Sequence, residues 1–88
     1  MRVRDQIYQK LKTEFDPEYL DVVDESHKHE GHAGARPEGQ THFRVELSCA
    51  AFAGKNQVER QRMVYRLLAD EMAGPVHALA LKTRAPGE

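Results

Sequence analysis

The chain has 88 residues, 40% hydrophobic and 31% charged, with a formal net charge of −1. That length carries one small domain around one core, and the composition excludes a disordered chain, while no apolar run approaches the roughly 20 residues of a membrane span. The single cysteine, Cys49, excludes an internal disulfide framework, and the near-neutral charge lacks the overall basicity of many nucleic-acid binders.

The first segment, MRVRDQIYQKLKTEF, is charged throughout and has no secretory-type apolar stretch, so a reducing, cytoplasmic setting is expected. Within it Val3, Ile7, Leu11 and Phe15 recur at every fourth position, which predicts a helix with one drifting apolar stripe. Asp16-Pro17 ends it, because the residue before proline is driven from the helical region. EYLDVVD, 18–24, reads as a short strand with Leu20 and Val22 on one face and Asp21 and Val23 on the other. Residues 24–40, rich in glycine and charge, read as a loop that gathers His27, His29 and His32 within six positions. THFRVELSC then alternates cleanly: Phe43, Val45 and Leu47 face inward, and His42, Arg44 and Glu46 face outward.

AAFAG allows one short helical turn closed by Gly54. Asn56 is placed to cap the next helix, with Glu59 three positions on, as in a capping box. One long helix follows, with Val64, Leu67, Leu68 and Met72 as its apolar arc and Tyr65 at the edge of that arc. Arg62, Arg66 and Asp70 project from the opposite side, and Gly74-Pro75 ends the helix. VHALAL, 76–81, is the last strand, and residues 83–88 form a polar tail expected to fray. The order α-β-β-α-α-β predicts a single two-layer α+β domain with helices on one face of a three-stranded mixed sheet. The first two strands pair antiparallel, and a right-handed crossover makes the second and third parallel.

Four segments in this order and spacing resemble the BolA family: DES at 24–26, THF at 41–43, FAGKNQVERQRMVY at 52–65 and GPVHALAL at 74–81. The resemblance runs from Ile7 to Pro86 and implies a fold similar to class II KH domains, without their GxxG nucleic-acid clamp. It also implies a partner, a monothiol glutaredoxin, with which such chains form a heterodimer around a shared [2Fe–2S] cluster. The glutaredoxin supplies its cysteine and a bound glutathione, and the BolA-like chain supplies histidine. The role implied is cluster trafficking or iron and redox regulation, and the chain alone is expected to be a monomer without a cofactor. Many relatives have Arg-His-Arg where this chain has Arg60-Gln61-Arg62, so no role of that histidine carries over.

In the resemblance the VHAL ligand falls on His77. Taken alone, a histidine at a strand start is more commonly structural, yet its alternation with Leu79 and Leu81 places the ring at the edge of apolar packing, where water is excluded. In the loop His29 aligns with the second ligand, His32 competes with it and His27 follows. A solvated polar loop is the plainer alternative there. Cys49, lying after the second strand, is expected to be a small buried hydrophobe, and His42 a structural side chain on the outward face. Nucleic acid is the alternative partner. Lys55, Arg62 and Arg66, with Arg60 near the same helix end, form a face able to contact phosphates, though Glu59 and Asp70 dilute it and a solvated helix face explains it as well. No nucleophile motif or pair of carboxylates around a pocket points to an enzyme.

Overall fold

The computed structural model describes residues 2–25 and 41–88. The N-terminal stripe forms helix α1, Val3–Phe15, which buries Ile7 and Leu11 completely and packs Val3 and Phe15 at the rim of the core. Asp16 closes it in the left-handed region (φ 44°, ψ 57°), donating its N–H to the Lys12 carbonyl. Proline at 17 prevents another helical turn, and aspartate is one of the few non-glycine residues that enters this region readily.

Strands β1 (Tyr19–Asp24), β2 (His42–Ser48) and β3 (Ala78–Arg84) form one sheet in the order β1-β2-β3. β1 pairs antiparallel with β2, setting Val22 opposite Val45, and β2 pairs parallel with β3, setting Phe43 opposite Leu79. Phe43, Val45 and Leu47 are all buried, as their alternation predicts, and they meet Ile7, Leu11, Val64 and Leu68 from the helices. Tyr19, Arg44, Ala80 and Lys82 are exposed on the opposite, open face. The architecture is the expected two-layer α+β arrangement.

After β2, Ala50–Phe52 form a 3-10 turn, and the chain leaves it through Gly54 at φ 76°, where a side chain would be strained. Asn56 caps helix α2, Gln57–Leu67: its Oδ1 accepts the Glu59 N–H at 2.9 Å and its amide donates to the Glu59 carboxylate at 3.2 Å. The return contact runs side chain to side chain rather than to the cap backbone, a variant of the capping box.

Two expectations are corrected. The predicted long helix is broken at Leu68 (φ −96°, ψ 20°), after which a short helix α3 spans Ala69–Ala73. Leu68 leaves ideal helical geometry while its side chain is wholly buried. The last strand begins two residues later than VHALAL and continues to Arg84, so residues 83–88 do not form a frayed tail. The reason is the length of β2: Leu47 and Ser48 pair with Thr83 and Arg84, and the Cys49 N–H donates to the Arg84 carbonyl. Thr83 and Ala85 are buried as a result. Side chains from α2 also cap the outer edge of β3. Tyr65 OH donates to the Leu79 carbonyl at 3.1 Å, and Gln57 Nε2 donates to the Thr83 carbonyl at 3.3 Å. Such capping blunts a sheet edge that would otherwise offer unpaired backbone. No described helix is long and apolar enough to cross a membrane.

Candidate functional site

His77 stands immediately before β3, between buried Val76 and the first paired residue, Ala78. Its backbone is tightly held: the His77 N–H donates to the Thr41 carbonyl at 2.7 Å, and the Ala78 N–H reaches the same oxygen at 3.2 Å. The ring is exposed. This corrects the expectation that it sits at the edge of apolar packing beside Leu79 and Leu81; because β3 starts at Ala78, His77 escapes the strand's inward alternation. A fixed backbone with an exposed imidazole presents a neutral nitrogen ligand outward, available to a metal centre carried by another molecule.

The parallel pairing of β2 and β3 sets His42 opposite Ala78 and so brings a second imidazole to this end of the sheet. The His42 and His77 rings are stacked, with centroids 6.2 Å apart and planes 25° from parallel. Thr41, fully buried, joins the two residues: its carbonyl accepts from His77 and its hydroxyl pairs with His42 Nδ1 at 2.8 Å. The sequence alone left His42 as a structural residue of the outward face. The available signal was the predicted parallel pairing, which places THF and VHAL at the same end of adjacent strands. His29, His32 and His27 lie outside the described residues. Among the described residues no group of three or more histidine, cysteine or acidic side chains is placed to hold a metal.

The proposed phosphate-contacting residues separate into two kinds. Lys55, Arg62 and Arg66 are exposed. Arg66 lines a groove of about 310 Å³ between α1 and α2 with Glu14, Phe15, Met63 and Leu67, so an acidic side chain shares its surface. Arg60 is not on that surface. It is 4% exposed, its Nε donates to the Phe52 carbonyl at 3.1 Å, and its two terminal nitrogens grip the Glu88 carboxylate at 2.7 Å each. A guanidinium committed to a bidentate carboxylate and a buried carbonyl has no donors to spare for phosphate. Cys49 is fully buried and free, and burial pushes its thiol above the ordinary range, as fits an inert core residue.

The family model described as BolA-like protein matches residues 11–88. The chain belongs to the BolA family. The DNA-binding transcriptional regulator BolA of Escherichia coli (strain K12) is 43% identical over 83 residues, covering 94% of this chain and 75% of that protein. SufE-like protein 1, chloroplastic/mitochondrial, of Arabidopsis thaliana is 41% identical over 92 residues, covering 100% of this chain but only 24% of that protein. Among solved structures, BolA1 from Arabidopsis thaliana superposes with a TM-score of 0.87 at 34% identity, covering 100% of this chain and 96% of that one. The helices, mixed sheet and strand order described above are thus those of a BolA domain, a unit that also occurs within much longer proteins.

Proposed function

We propose that this BolA-family chain is an adaptor that pairs with a monothiol glutaredoxin and supplies His77 as a ligand to a shared [2Fe–2S] cluster. The observation that carries the proposal is the exposed His77 imidazole on a backbone pinned twice to Thr41 O. Pinning limits the ordering cost of binding, and exposure leaves the ring reachable by a cluster that the partner holds through its cysteine and glutathione. Histidine in place of a thiolate on one iron raises the cluster potential. The second histidine in this proposal is His29, with His32 as its competitor. Such a chain would serve cluster trafficking or iron and redox regulation in the cytoplasm, binding a partner rather than turning over a substrate.

Visible circular dichroism tests the proposal. Mixing the chain with a monothiol glutaredoxin, glutathione, iron and sulfide should give a spectrum distinct from that of the glutaredoxin's own cluster. An unchanged glutaredoxin spectrum would refute it.

A second function rests on a separate observation, the exposed trio Lys55, Arg62 and Arg66, and on the name of the Escherichia coli relative as a DNA-binding regulator. Contacts from these side chains would be to phosphates and carry no base readout.

A further inference from the structure

His42 and His77 come from different strands, yet their rings stack at a centroid separation of 6.2 Å, and buried Thr41 ties both to one point. Stacking alone gives two exposed-side imidazoles little energy in water. The engagement of His42 Nδ1 is more informative. Metal-bound histidines almost always commit one ring nitrogen to a protein or water partner, which fixes the tautomer and orients the other nitrogen toward the metal. In the tautomer where His42 Nδ1–H donates to Thr41 Oγ1, Nε2 carries the lone pair that a cation needs.

We propose that His42 and His77 form a two-imidazole site for a borderline divalent cation of the zinc class, with water completing the coordination. Neutral imidazole suits zinc, copper and nickel and discriminates against magnesium and calcium, which demand oxygen ligands. Two imidazoles on one tetrahedral zinc, each about 2.0–2.1 Å from metal to nitrogen, bring their centroids to roughly 5 Å. The observed separation is therefore wider than the bound one by about the amount that rotating one ring removes. His77 can make that rotation because its ring is exposed and its residue precedes β3. His42 supplies the fixed half of the site, since β2 and Thr41 hold its backbone and ring.

The site belongs to the chain alone and does not depend on the glutaredoxin proposal, although both use His77. A cation there and a partner's cluster would compete for the same ring nitrogen.

The test is zinc titration of the full chain by calorimetry, with histidine ring proton resonances followed in parallel, near neutral pH. The starting protein carries His27→Ala, His29→Ala and His32→Ala together, which silences the loop imidazoles. It should bind one zinc, shifting the ring resonances of His42 and His77 alone. Adding His42→Ala or His77→Ala should weaken binding at least 100-fold, with the amide spectrum of the fold retained. His42→Ala leaves His77 available to a glutaredoxin-held cluster, so failure here and failure of the cluster proposal are read separately. Loss of zinc binding in the starting triple variant would overturn the site. So would affinity that survives either added substitution.

Discussion

Arg60 and Glu88, 28 residues apart in sequence, are joined by two hydrogen bonds of 2.7 Å that close the end of the chain over the start of α2. The guanidinium holds the Glu88 carboxyl down to about 2 from its ordinary 4.5, helped by the Ala85 N–H. A depressed folded value stabilises the fold above the ordinary value and loses that contribution as pH falls toward the folded one. The stability difference between the parent and Glu88→Gln should therefore be full above about pH 5 and shrink progressively toward about pH 2. Urea unfolding at a series of pH values checks this. A difference independent of pH would show that the pair does not govern Glu88.

Leu68 tests the packing of the two layers. It is fully buried at the break between α2 and α3, against the inward face of the sheet. Leu68→Ala should cost about 2–5 kcal/mol in denaturant unfolding, a large part of what a domain of this size has. A loss below about 0.5 kcal/mol, as for a surface residue, would contradict the packing.

The cap of α2 gives a smaller, separate effect. Asn56→Ala removes the acceptor for the Glu59 N–H and should cost about 1 kcal/mol by the same measurement. Asn56→Asp keeps that acceptor and should restore most of the loss.

Local patterns made most of this fold legible. The fourfold spacing from Val3 to Phe15, the alternation through Phe43, Val45 and Leu47, and the Asn56–Glu59 cap are each set by neighbours within one turn or one strand. The misread features depend on distant partners. Nothing in the residues around Leu68 breaks a helix: the sequence there has neither glycine nor proline. Residues 83–88 look like a loose tail because the strand that pairs with Thr83 and Arg84 lies about 35 positions earlier. Arg60 looks like one more cation on a basic helix because its carboxylate is 28 residues away. At the candidate site His77 was legible through its motif. His42 was not, because its approach to His77 exists only once β2 and β3 pair in register.

The same geometry sharpens the nucleic-acid test. Arg62→Ala combined with Arg66→Ala should weaken binding to any duplex and lower the salt slope by roughly 2, at about 0.9 per lost phosphate contact. Arg60→Ala should leave that slope unchanged while reducing stability, because its donors serve Phe52 and Glu88. Filter binding or fluorescence anisotropy across a salt series separates the two outcomes. An intact slope in the double variant would remove these arginines from any duplex interface, as would an absence of binding by the parent at moderate salt.

The proposed role in cluster binding stands on His77 itself. Its exposed ring makes His77→Ala a benign substitution for the fold, so the altered chain should unfold like the parent. The most direct measurement is the visible circular dichroism of the cluster-loaded mixture with a monothiol glutaredoxin, recorded for the parent and for His77→Ala. The mixed-cluster spectrum should disappear with His77→Ala, leaving the spectrum of the glutaredoxin alone, while His29→Ala should make the cluster labile and His32→Ala should do less. A mixed-cluster spectrum that survives His77→Ala unaltered would contradict the assignment.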